Sequence, residues 1–166
     1  MKPSELKVIE SKSYKVFLKD IKDRVYKTQY DSLKAVNKQY VQMCFDIGKM
    51  ISENLEKEKW GNSVVENIAQ ELRIEFPGVR GFSRRNLFNM LQLYRAYKEN
   101  LKVQSMTAQI GLTHNLIIIE KCKDDLEREF YLKLTIREKL TTRLLQQKIK
   151  DNEYERWALS QDNFCK

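Results

Sequence analysis

Between Thr28 and Lys59 the chain carries no proline and a single glycine, Gly48, while Leu33, Val36, Tyr40, Met43, Ile47 and Met50 step alternately by three and four positions. That spacing keeps one stripe of an α-helix apolar over about three heptads, the a/d pattern of a coiled-coil-like seam. A strand has no use for it, because its side chains change face at every residue. Upstream, Tyr14, Phe17, Ile21 and Val25 recur at helical spacing and predict a shorter helix from Tyr14 to about Val25. The two stripes match, so residues 1–61 are expected to form an N-terminal helical hairpin. Gly61 would stop its long arm, since glycine takes the left-handed conformation without strain. The competing reading leaves the seam for another subunit, as a homodimer or protein-interaction surface.

Composition supports helices elsewhere. Five Gly and two Pro in 166 residues are too few for the many tight turns of a β-sandwich or barrel. A hydrophobic share of 42% is enough to build a core, which argues against disorder. The fold class expected is all-α, a long helical hairpin followed by a helix-turn-helix-like multi-helix bundle. No stretch approaches the roughly 18 apolar residues of a membrane span, and the start MKPSELKVIE lacks the apolar block of a signal peptide. A cytoplasmic protein without membrane contact is expected. Cys44, Cys122 and Cys165 are too far apart for a zinc knuckle or a redox pair and read as reduced thiols.

A second block, residues 62–102, opens at Ser63 with Glu66 three positions on, the arrangement of a capping box. Val64, Ile68 and Leu72 then line a short helix ending before Pro77. The turn PGVRGFS follows, then RRNLFNMLQLYRAYKEN, with Phe82 and Leu87 spaced as a hydrophobic staple about an N-cap at Ser83. Leu112-Thr113 with Ile117, and Leu140-Thr141 with Leu145, repeat that opening. Residues 103–166 are therefore expected to hold three short helices, near 114–121, 125–138 and 142–157, leading towards a linker. The β-branched run Ile117-Ile118-Ile119 lies directly behind a cap and is read as helical.

Charge is concentrated in one place. Residues 80–102 hold Arg80, Arg84, Arg85, Arg95, Lys98 and Lys102 against one acid, Glu99, a net +5 of the chain's +8. On a helical wheel Leu87, Met90, Leu91 and Tyr94 form an apolar stripe, and Arg85, Asn89, Gln92 and Ala96 fall opposite. Arginine, asparagine and glutamine have the donor and acceptor geometry that base edges require. Arg80 and Arg84 sit at the turn and helix start, where backbone amides also favour phosphate. A helix, a glycine-containing turn and this basic helix together suggest a helix-turn-helix, although the turn from Pro77 to Ser83 is longer than usual. A plain solvated face on a basic protein is the competing explanation. Arg143, Gln146, Gln147 and Lys150 repeat the pattern more weakly. The candidate DNA-binding residues are thus Arg80, Arg84, Arg85, Asn89, Gln92, Arg95, Arg143, Gln147 and Lys150.

Other chemistry is thinly represented. His114 has no second His or Cys beside it and reads as a structural histidine. Asp124-Asp125 lie at a helix start, where acids complement the dipole. No Gly-rich phosphate loop, serine elbow or Cys/His pair is present. No catalytic residue, metal, cofactor or small-molecule ligand is expected. The residues describe a binding module, with duplex or branched DNA the expected partner.

The block WGNSVVENIAQELRIEFPGVRGFSRRNLFNMLQLYRAY resembles the core signature of the N-terminal domain of YhcG-type proteins, the N-terminal part of domain of unknown function 1016. AVNKQYVQMCFDIGKMI, with its Ile47-Gly48 pair, is similar to that family's long helix, and LTHNLIIIEKCKDDLEREFYLKLTIREKLTTRLLQQKI to its second conserved block. The resemblance covers roughly residues 14–164. It implies a helical, helix-turn-helix-like DNA-binding domain of the kind that commonly precedes a PD-(D/E)XK nuclease, and the tail YERWALSQDNF resembles the segment before that nuclease. The chain would then be either part of a longer nuclease or a stand-alone version without the catalytic half. Family members usually carry Trp-Ser or Trp-Thr where this chain has Leu112-Thr113 and Leu140-Thr141. The second block is also loosely similar to the helix-turn-helix of ParB-like partition proteins.

Overall fold

The computed structural model describes residues 11–59, 61 and 63–162; Cys165 and the end of the tail lie outside them. Among the described residues the fold is all-α, with eight helices and no strand. They are α1 (Lys12–Lys57), α2 (Ser63–Glu75), α3 (Arg84–Tyr97), α4 (Leu101–Thr107), α5 (Leu112–Lys121), α6 (Asp125–Glu138), α7 (Thr142–Lys150) and α8 (Glu153–Asp162). The chain divides into two compact units, Met1–Val36 and Asn37–Lys166.

The expected hairpin is replaced by one continuous helix. Tyr26, Lys27, Thr28 and Gln29 all lie inside α1. None is a glycine or proline, so nothing there stops helix propagation. Within Met1–Val36 the apolar stripe stays open, with Phe17 61% and Leu33 70% exposed. Within Asn37–Lys166 the helix does not bury the seam either: Met43 and Met50 are exposed, and Tyr40 and Ile47 half-buried. The buried positions are Val41, Cys44, Gly48 and Ile51, each one residue past a seam position, flanked by Phe45 and Ser52. One residue is 100° of rotation. The reason is steric, since a Cβ on Gly48 would lie 2.1 Å from the Met90 carbonyl oxygen. Gly48 thus lets α3 pack against the backbone of α1, and closeness of approach rather than the apolar stripe selects the packed face.

The second unit has one core. Val65 and Ala69 of α2, Leu87, Met90 and Leu93 of α3, Ile118 of α5, Tyr131 and Leu132 of α6 and Leu145 of α7 are all fully buried. Burying a side chain such as Leu87 contributes about 1.5–3 kcal/mol. Ile117, Ile118 and Ile119 are helical and buried, as expected from their place behind a helix start. Asn115 is buried below them, where its Nδ2 donates to the carbonyls of Thr107 at 2.9 Å and Gly111 at 3.1 Å. It thereby satisfies two acceptors of the α4–α5 connection.

Local signals place most helix starts. Ser83 accepts from the Asn86 amide, Asp124 from Glu127 and Thr141 from Leu144. Three boundaries differ from expectation. Gly111, not Thr113, precedes α5, so Thr113 sits in its first turn. Ser63 is the first residue of α2, and Glu66 pairs with Arg84. The last helix is two helices, because Asn152 takes a left-handed φ of 52° and breaks the helix after Lys150. That break brings Tyr154 and Trp157 against Phe130, with ring centroids 5.5 and 5.2 Å apart. A helix not anticipated, α4, starts at Asn100, whose Oδ1 accepts from the Val103 amide at 3.1 Å.

Candidate nucleic-acid interface

Helix α3 packs on α2, α4 and α5, and Gly48 seats α1 against it as well. Leu87, Met90, Leu91, Leu93 and Tyr97 are buried, while Tyr94 is half-buried at the edge, with its ring against Phe45 at 5.3 Å. The buried arc is thus wider than the expected stripe, and what stays open is narrower. Arg84, Arg85, Gln92 and Arg95 are exposed along the open arc, with Phe88, Asn89 and Ala96 half-buried within it. No acid occurs anywhere in α3.

The connection into α3 is built by two glycines. Phe76-Pro77-Gly78-Val79 forms a type II turn, in which the Val79 amide donates to the Phe76 carbonyl at 3.2 Å and Gly78 supplies φ 85°. Gly81, at φ 116°, lets Phe82 turn inward, where it is buried. Arg80 between them is exposed.

The six cations of residues 80–102 are not equivalent. Arg84 Nε lies 3.0 Å from Glu66 Oε2, and its guanidinium sits 5.1 Å from the centre of the Phe88 ring. Lys98 pairs with Glu99 at 3.7 Å and Lys102 with Glu129 at 2.8 Å. Hydrogen bonds from Lys102 and then Lys133 hold the Glu129 carboxyl below the usual carboxylate range. Arg95 Nε donates to Ser52 Oγ at 3.3 Å, an ordering contact that leaves its charge unneutralised. Among the described residues Arg80, Arg85 and Arg95 pair with no acid. Asn89 Nδ2 donates to Asn86 Oδ1 at 3.3 Å, and Gln92 borders a groove.

That groove, about 580 Å³, is lined by Phe88, Gln92 and Arg95 of α3, Ile119 of α5 and Arg128 of α6. Arg128 was not legible as part of this site, since nothing in its local spacing relates it to α3. Its Nη1 holds Asp125 at 2.9 Å, and its Nε is buried without a hydrogen-bond partner among the described residues. Beneath it, burial pushes the Tyr97 phenol well above its ordinary range, against the opposing influence of the Arg128 charge.

The second candidate set lies on α7, which packs on α5, α6 and α8. Arg143, Gln147 and Lys150 are exposed, and Gln147 Nε2 donates to Asp151 Oδ1 at 2.9 Å. The structure therefore groups Arg84, Arg85, Asn89, Gln92 and Arg95 on one helix, and Arg143, Gln147 and Lys150 on another. His114 is structural in its geometry: its Nε2 is 2.9 Å from the Leu140 carbonyl oxygen, tying α5 to the end of α6. Cys44 and Cys122 are free and buried; burial pushes their thiols up to about 11 and about 12. Among the described residues no three His, Cys, Asp or Glu side chains converge to hold a metal ion, and no helix is long and apolar enough to cross a membrane.

The chain matches no curated protein and no solved structure. A family model does match, over residues 20–156, a span that takes in most of α1, the whole α2–turn–α3 unit and the bundle through α7. With that much of its length covered, the chain belongs to the family described as the DUF1016 N-terminal domain.

Proposed function

We propose that this chain is a cytoplasmic, non-catalytic DNA-binding module that presents α3 to duplex or branched DNA. The observation that carries the reading is the acid-free open arc of α3, on which Arg85 and Arg95 stand without an acid partner, with Arg80 unpaired at its entrance. Unpaired guanidiniums can fork to phosphate without first breaking an ion pair, and Arg95 is already ordered by its bond to Ser52. Gln92 and Asn89 on the same arc supply the uncharged donors and acceptors that base edges need. Arg84 is a weaker phosphate ligand in this reading because Glu66 already occupies it. Arg143 and Lys150 form a secondary electrostatic contact. A role as the targeting half of a nuclease system follows from the resemblance to YhcG-type proteins, in which such a domain precedes the catalytic one.

Fluorescence anisotropy with labelled duplex, four-way-junction and single-stranded DNA tests the proposal. Binding at low salt is expected, with preference for duplex or branched DNA, and Arg85→Ala with Arg95→Ala should remove most of it. Absence of binding at about 50 mM salt, where phosphate contacts are strong, would refute the reading. Cleavage of the same DNA by the purified chain with magnesium would refute its non-catalytic part.

A further inference from the structure

The open stripe on the first part of α1 has no role in the proposed DNA contact. In the unit Met1–Val36 the described residues form one helix on which Phe17, Ile21, Val25 and Val36 share a face and are 44–68% exposed. In proteins most of a helix's stability comes from packing its apolar face rather than from intrinsic propensity. We infer that this segment pairs antiparallel with the same segment of a second copy of the chain.

Three features select that occupant. Tyr14, Leu18, Ile21, Val25, Thr28, Ser32 and Ala35 follow a strict heptad seam, large in its first half and small in its second. Parallel pairing stacks large on large and then small on small. Antiparallel pairing opposes Leu18 with Ala35, Ile21 with Ser32 and Val25 with Thr28, so each layer fills evenly. The flanks agree: Arg24 of one copy then comes beside Asp31 of the other, twice by symmetry, and Lys22 beside Gln29, with no like charges opposed. The same pairing covers Phe17 and Val36, which flank that seam and are 61% and 68% exposed. A bilayer surface suits the segment less well, because Thr28, Ser32 and Ala35 thin the apolar face where a membrane-lying helix needs it broad.

Light scattering of the full chain, with circular dichroism, tests the inference. The parent is expected to be a dimer at micromolar concentration. Val25→Asp should raise the dissociation constant at least a hundredfold, while Ile74→Asp, which alters a still more exposed residue of α2, should leave the mass unchanged. The altered position lies outside the core of the second unit, so the mass remains readable even if the helix end frays. Orientation is read by disulfides in a Cys165→Ser background. Leu18→Cys alone should not cross-link, its copies lying roughly 25 Å apart along the axis, whereas Leu18→Cys/Ala35→Cys should. A monomeric parent at 100 micromolar would overturn the inference. So would a dimer that survives Val25→Asp, self-cross-linking of Leu18→Cys, or flotation of a monomer with phosphatidylserine vesicles.

Discussion

Gly48→Ala isolates the contact that positions α3. In a solvent-exposed helix the change stabilises by about 1 kcal/mol, because alanine loses less backbone entropy. Here the new Cβ would meet Met90 O at 2.1 Å and Met90 C at 2.6 Å, with Tyr94 Cβ at 3.1 Å. Met90 presents backbone, which cannot rotate aside as a side chain does, so α1 and α3 must separate by roughly 1 Å or more to restore ordinary contact. Overpacking of this kind costs about 1–3 kcal/mol, and a rigid neighbour puts it near the top of the range. Net of the propensity gain, the variant should lose about 2 kcal/mol, or roughly 4–8 °C in Tm for a chain of this size. Thermal and urea unfolding followed by circular dichroism measure it. The sign is decisive, since an unchanged or higher Tm would show that the two helices do not meet at Gly48.

Asn115→Ala should lose about 1–2 kcal/mol in urea unfolding, because the Thr107 and Gly111 carbonyls each lose a second donor while keeping the Ile110 and Asn115 amides; an unchanged or raised stability would contradict that account. Glu66→Gln should release Arg84 for phosphate, tightening DNA binding and steepening its log-log salt slope by about 0.9, at little cost in stability; weaker binding would show that Arg84 acts only through its pairing with Glu66. The thiols give a pH prediction. Cys44 and Cys122 ionise near pH 9 when unfolded and at about 11 and about 12 when folded. Above pH 9 the unfolded chain therefore binds fewer protons than the folded one, and stability falls as pH rises. Cys44→Ala/Cys122→Ala should lessen the pH-dependent part of that fall, and an identical profile would count against it.

Features set by neighbouring residues were legible in the sequence. Ser83, Asp124 and Thr141 cap their helices because capping needs a side chain within three residues of the amide it serves. The family resemblance was carried by the same local blocks. What depends on distant neighbours was not legible. The period of the α1 seam marks an apolar face but cannot say what covers it, and the face that packs is set by Gly48 against Met90, 42 positions away in the chain. Whether Tyr14–Val25 folds back is a question about the residues between the stripes, and those contain no helix breaker. Asn152 and Asn100 did carry signals, as a residue tolerant of the left-handed conformation and as a capping residue. The pairing of Arg84 with Glu66, and the arrival of Arg128 beside α3, follow only once α2 and α6 have packed.

The central claim, DNA contact through the open arc of α3, is tested most directly by the salt dependence of duplex binding for the parent and for Arg80→Ala/Arg85→Ala/Arg95→Ala. Three unpaired guanidiniums on phosphates correspond to a slope of log affinity against log salt of about −3, deepening towards about −5 if Arg143 and Lys150 also reach the backbone. The triple variant should flatten the slope by close to 3 units and weaken binding on every sequence. A parent that binds with a flat salt response, or a triple variant with the parent's slope, would contradict the claim.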